Sequence, residues 1–230
     1  MLDYTLVRSN RRRTISLQVK QAKLRVLAPS YVAESEIQQL VRQKQDWIKQ
    51  KIAQQNTLLA TSKTRQFTQG DVFFYLGQPL TLDIQQGINN RVQQRPTTLV
   101  VELSNTFFHH PKRAIHIKAL LEQWYIQQAK TILSEQTLKM QALTKLNPSS
   151  LTIRLYKSRW GSCDNHQRVK LNWLLVMAPM EVIHYVIIHE LCHLKHLNHS
   201  SAFWQLVETF YQPIKPAKDW LKKHQGDLVW

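Results

Sequence analysis

Cysteine, glycine and acidic residues are all scarce in this sequence, and so are long apolar runs. Its 230 residues contain two cysteines, Cys163 and Cys192. Two thiols in a chain of this size, without an export signal, argue against a disulfide framework. Five glycines leave little room for the glycine-rich phosphate loops of nucleotide-binding folds, and neither the Walker nor the dinucleotide pattern occurs. No apolar run approaches bilayer length, and the first 30 residues are Arg-rich rather than a secretory apolar stretch. The expectation is a cytoplasmic protein with no membrane partner.

Acidic side chains number 15 against 31 Lys and Arg, a formal net charge of +16. Residues 1–65 hold 13 basic and 4 acidic residues, a net +9, so over half the excess lies in under a third of the chain. Such a bias attracts nucleic acid or acidic partners, although a solvated basic face explains it equally well. Hydrophobic content of 43% and charged content of 20% fit a globular chain with ample length to bury a core.

The most informative stretch is His189-Glu190-Leu191-Cys192-His193, continuing to His199. On a helix, residues four apart share a face, so His189 and His193 can direct imidazole nitrogens at one metal ion. Glu190 lies one step round the helix, where a carboxylate can take a proton from water at the open coordination position. A catalytic zinc needs a third protein ligand. His196 continues the same face but sits about 10 Å along the axis from His189, too far to share an ion. His199 can serve if the helix stops and the chain turns back. Asn198 tolerates the left-handed conformation that ends helices, and Ser200 is a good N-cap for the next helix. Glu208 is a rival ligand on that downstream helix, and Cys192 offers a thiol, although on a different face from the His pair. Cys192 reads better as a small buried residue, and Cys163 as part of a tight turn.

Residues preceding this stretch supply strands. Tyr4–Val7, Thr14–Val19 and Leu24–Leu27 read as two or three antiparallel strands around an exposed Arg11-Arg12-Arg13 turn. From Ser35 the period changes to that of a helix. Ser35 and Gln38 resemble a capping box, Ile37, Leu40, Val41, Trp47, Ile48 and Ile52 form its apolar face, and residues 54–68 read as a linker. Strands return at Phe73–Leu76, Leu80–Ile84 and Thr98–Leu103. Pro111 opens a long helix to about Leu143 that would back the metal-site helix. His109, His110 and His116 near its start read as surface histidines. Thr152–Lys157 and Arg168–Trp173 alternate as the two arms of a hairpin, with the turn at 158–167.

Several of these segments resemble one family. Ser158-Arg159-Trp160-Gly161-Ser162-Cys163, Leu171-Asn172, Val186 through His193, and Asn198-His199-Ser200 with Phe203-Trp204 together resemble the YgjP-like metallopeptidases, relatives of the SprT-like and WLM proteases. The likeness extends to the Arg8-Ser9…Arg11-Arg12-Arg13-Thr14 start and to Trp47-Ile48. It implies a zincin-like fold and zinc (Zn2+) peptidase activity on a protein or peptide substrate, with ligands His189, His193 and His199 and the base Glu190. It further implies that the hairpin before the metal helix offers an edge strand to an extended substrate. Arg159 and Trp160 are candidates for the cleft wall, and Tyr156, Arg159 and Tyr211 for the oxyanion donor.

The resulting expectation is an α+β protein. Residues 1–105 would form a basic β-rich module with one helix and residues 106–230 a zincin-like catalytic domain, or the two would be one continuous unit. Two other functions stay open: a protease acting on DNA-bound proteins through the basic N-terminal module, and a non-catalytic, zinc-stabilised binding module.

Overall fold

The computed structural model describes residues 2–20, 22–61, 65–156, 159–224, 226, 228 and 230. The chain divides into two compact units, residues 1–63 with 225–229 and residues 64–224 with 230. Both mix helices and strands, as expected of an α+β protein.

The first unit holds strands β1 (Tyr4–Ser9), β2 (Ser16–Lys20) and β3 (Lys23–Pro29), then helices α1 (Glu34–Gln43) and α2 (Gln45–Thr61). The strand order is β1-β3-β2. β2 and β3 are antiparallel, whereas β1 runs parallel to β3 with Tyr4 opposite Leu24. The expected all-antiparallel arrangement is therefore corrected for β1. The reason is apolarity: β3 buries Leu24, Val26, Leu27 and Ala28, so it takes the centre with partners on both sides. The polar-flanked β1 and β2 are left as edges. Arg11 and Arg13 are exposed between them. Ile37, Val41 and Ile48 close the core over β3.

Two details of the helices differ from expectation. Ala33 occupies the N-cap of α1 with no side-chain cap, so Ser35 lies inside the first turn and forms no capping box. The single expected helix breaks at Lys44, and α2 then runs on through much of the stretch read as a linker. Residues 62–64 of that stretch lie outside the described residues.

The second unit begins with β4 (Val72–Tyr75), β5 (Gln78–Gly87), β6 (Arg91–Gln94) and β7 (Thr98–Ser104), in the order β4-β5-β7-β6. These strands form their own sheet rather than joining the N-terminal strands, so the division falls at residue 63, not 105. Backbone bonds hold the sheet to the stretch that precedes the metal-site helix: the Leu76 and Gly77 amides donate to the Val176 and Met177 carbonyls at 2.8 and 3.1 Å. Gly77 has φ +80°, and a Cβ there would lie 2.7 Å from the Pro179 ring. Only glycine satisfies both constraints.

After α3 (Asn105–Phe108) comes α4 (Arg113–Thr144). Ile117, Leu121, Tyr125, Ala129 and Leu133 recur every four residues along one fully buried ridge, the row that packs into the grooves of neighbouring helices. Ile115 and Leu138 are exposed because they lie off this ridge. β8 (Ser150–Arg154), β9 (Gly161–Cys163) and β10 (Arg168–Asn172) make the third sheet. β10 is central, antiparallel to β9 and parallel to β8. The hairpin is thus β9–β10, and β8, which takes the place of the expected first arm, is a parallel neighbour rather than a hairpin arm. As with β3, the strand most buried of its three is the one in the middle. Lys157 and Ser158 lie outside the described residues.

A buried 3-10 turn (Trp173–Met177) follows, then α5 (Met180–Cys192), α6 (Ser201–Phe210) and α7 (Ile214–Lys223). Among the described residues no helix is long and apolar enough to cross a membrane.

Candidate metal centre

Helix α5 is apolar almost all round. Val182, Ile183, Tyr185, Val186, Ile187, Ile188, Leu191 and Cys192 are all buried. It packs on α4, where Gln136 Oε1 meets His184 Nε2 at 2.8 Å. His184 is held there, away from the metal-site histidines. α5 ends at Cys192, six residues before Asn198, the helix-ending residue that the sequence offered. His193 is its C-cap and still has right-handed helical angles, φ −65° and ψ −14°. The four-residue relation of His189 to His193 therefore survives, with ring centroids 4.9 Å apart. Asn198 does not adopt the left-handed conformation. Its Oδ1 accepts the Ser200 amide hydrogen at 3.2 Å, and the turn is made by that side chain. Ser200 caps α6 as expected, its Oγ accepting from the Phe203 amide.

This turn brings His199 back onto α5. The ligand atoms of His189, His193 and His199 lie within 4.8 Å of one another. His199 Nε2 is 3.1 Å from His189 Nε2. Two nitrogens on one tetrahedral ion, each about 2.05 Å away, must stand about 3.3 Å apart, so this spacing fits a shared ion. The tautomer of His193 fits as well. Its Nδ1 is 2.8 Å from the His196 carbonyl oxygen, which can only accept, so the hydrogen sits on Nδ1 and Nε2 keeps its lone pair. Burial, followed by the neighbouring His193, His199 and Lys218 charges, pushes His189 down to about 3. Burial also lowers His193. Neutral imidazoles are the form that binds metal. His189 Nδ1 is buried without a hydrogen-bond partner among the described residues.

An aromatic floor holds the three rings. Phe203, fully buried, stacks on His193 at 4.4 Å and 22°, and meets His189 and His199 edge-on at 4.9 Å. Trp204 stacks on His199 at 5.6 Å and 26°. Among the described residues no other group of three or more such side chains could hold a metal. His109, His110 and His116 assemble no such set, and the rival ligand Glu208 is exposed and outside the trio.

Glu190 is 6% exposed and is not part of the donor group. It lies against the edge strand β9. A Cβ built on Gly161 would meet its Cγ at 2.6 Å and its Oε1 at 2.7 Å. Burial pushes its carboxyl up to about 8, with the Arg159 charge pulling the other way. A cavity of about 320 Å³ opens beside it. Arg159, Trp160 and Gly161 form one part of the wall, Tyr185, Val186, His189 and Glu190 of α5 another, and Lys218 and Leu221 of α7 the rest.

Of the residues named from the sequence for the cleft, Arg159 and Trp160 line this cavity. Tyr156 and Tyr211 do not line the cavity. The Tyr156 hydroxyl hydrogen-bonds Ser162 Oγ at 2.9 Å, and the Tyr211 ring packs on Tyr185 at 5.5 Å. Tyr185, Gly161 and Lys218 were missed. Tyr185 carried a readable signal, since it lies four residues before His189 on the same helical face. Lys218 carried none, because only the packing of α7 on α5 brings it there. Cys192 is buried and free as expected, while Cys163 is the last residue of β9 rather than part of a turn.

No curated protein matches the chain. Two solved structures are similar over a part of it. One is the metallopeptidase zymogen abylysin of Pyrococcus abyssi, at 24% identity and a TM-score of 0.37, covering 40% of this chain and 95% of that one. The other is the zymogen jannalysin of Methanocaldococcus jannaschii, at 24% identity and a TM-score of 0.35, covering 42% of this chain and 97% of that one. The model of the YgjP-like metallopeptidase domain matches residues 13–224, nearly the whole sequence. The chain belongs to the YgjP-like metallopeptidase family.

Proposed function

We propose that this metallopeptidase is a zinc enzyme in which His189, His193 and His199 hold the ion and Glu190 is the general base. The observation that carries the reading is three imidazoles converging on one point beside a buried carboxylate that is not itself a ligand. Three protein donors leave a fourth position open, which favours catalysis over a closed structural site. When bound, the ion supplies Lewis acidity, polarising the scissile carbonyl and acidifying water. Glu190 takes the proton from the attacking water and delivers it to the departing amine nitrogen. Burial at 6% exposure suits it to hold a proton between those two steps. β9 is the edge of its sheet and touches Glu190, so an extended protein or peptide substrate would pair with it through main-chain hydrogen bonds.

The test is a pair of variants. Glu190→Gln should keep one equivalent of zinc and lose peptide hydrolysis by a factor of at least about 100, whereas His193→Ala should lose both. Full hydrolysis by zinc-replete Glu190→Gln would sink the mechanism. A second reading, a protease acting on DNA-bound proteins, is supported by the first unit, where Arg11, Arg13, Arg42, Lys44 and Lys49 are exposed. It requires DNA binding that weakens steeply with salt, and hydrolysis stimulated by DNA.

A further inference from the structure

The cavity wall carries two cations that neither the histidine trio nor the Glu190 proton transfer uses. Arg159 enters just before β9, and Lys218 from α7. Both are exposed, and among the described residues neither forms an ion pair. Each is instead held by an aromatic face. Lys218 Nζ lies 3.6 Å from the Trp204 ring centroid, and the Arg159 guanidinium 5.6 Å from that of Tyr156. A cation–π contact fixes a side chain without neutralising its charge, so both stay available to an anion. Among the described residues the only carboxyl in the wall is Glu190, to which the proposed mechanism gives the proton transfer. The wall also includes Trp160, Tyr185, Val186 and Leu221, surfaces suited to a peptide side chain's carbon atoms rather than to a bare inorganic anion.

Resting on the peptidase reading, we propose that this cleft selects peptides carrying a carboxylate close to the scissile bond, with Arg159 and Lys218 as its receptors. The carboxylate could come from an Asp or Glu side chain or from the substrate's C-terminus. Both present the same planar anion to a guanidinium and an ammonium.

The experiment measures peptide binding to zinc-loaded Glu190→Gln protein, so that affinity is read without turnover. The probes are short doubly capped peptides in which a single Glu is moved position by position, their Gln counterparts, and a Gln peptide with a free C-terminal carboxylate. At one Glu position, or for the free C-terminus, binding should be about tenfold tighter than for the capped Gln peptide. The gain should vanish in Arg159→Gln or Lys218→Gln and return in Arg159→Lys or Lys218→Arg, while the capped Gln peptide binds all of them alike. Which arm shows the gain identifies the carboxylate as side chain or chain end. Equal binding of all probes, or a gain that survives both Gln substitutions, overturns the carboxylate subsite and leaves the peptidase reading intact. No binding of any probe, together with no hydrolysis by wild type, overturns both.

Discussion

Gly161→Ala tests how Glu190 is held. The added Cβ would stand 2.6 Å from Glu190 Cγ, 2.7 Å from Oε1 and 2.8 Å from Cδ. Ordinary carbon contacts begin near 3.5 Å, so something must yield by roughly 1 Å. Gly161 is paired with Leu171 in the β9–β10 ladder, and Asn172 donates its amide hydrogen to the neighbouring Trp160 carbonyl at 2.8 Å. The backbone is tied down, so the carboxylate must move. A displacement of that size at a proton-transfer group costs about 100-fold in kcat/KM, and overpacking a buried site costs about 1–3 kcal/mol of stability. Zinc content should not change, because the three histidines are not touched. Peptide hydrolysis, metal analysis and urea unfolding of the variant read these three quantities separately. A double-mutant cycle sharpens the test: with Glu190→Ala in the background, the stability cost of Gly161→Ala should vanish, since the clashing atoms are gone. Gly161→Ala enzyme with near wild-type kcat/KM, or an undiminished stability cost in the Glu190→Ala background, would refute the reasoning.

Two further outcomes are expected. Phe203→Ala removes a fully buried ring that stacks on His193 and braces His189 and His199. It should cost about 3–5 kcal/mol of stability, and competition with a chelator should show weakened zinc retention. Asp164 sits in the β9–β10 turn. Partial burial raises its carboxyl, but the Arg168 amide, the Lys170 ammonium, the Arg168 guanidinium and the His166 amide outweigh that and hold it at about 2. A carboxyl lowered on folding stabilises the native state above its ordinary value of 3.8 and loses that contribution as pH falls towards about 2. Thermal unfolding of wild type should therefore fall more steeply than that of Asp164→Asn between these values, and parallel curves would disprove the assignment.

Much of the site was legible because its signals are local. The four-residue interval between His189 and His193, and a Ser at position 200 able to cap a helix, depend only on helix geometry and backbone bonding. Both survive in the structure although α5 stops at Cys192. The long helix over residues 113–144 and most of the strands were readable from periodicity for the same reason, whereas the short β6 and β9 were not. Strand neighbours were not. Period-two alternation says that a segment is a strand but not which way its partner runs, so the parallel pairings β1–β3 and β8–β10 read as antiparallel.

By itself, then, the sequence determined the histidine trio, the adjacent carboxylate and the α+β class, because these follow from spacing along a single chain segment. Tertiary structure alone decided that β4–β7 belong with the metal helix and that Tyr185, Lys218 and Arg159 face one cleft. It also decided that Glu190 can be buried only where residue 161 has no side chain. Those facts join segments far apart in the chain, and burial and packing set them rather than any local propensity.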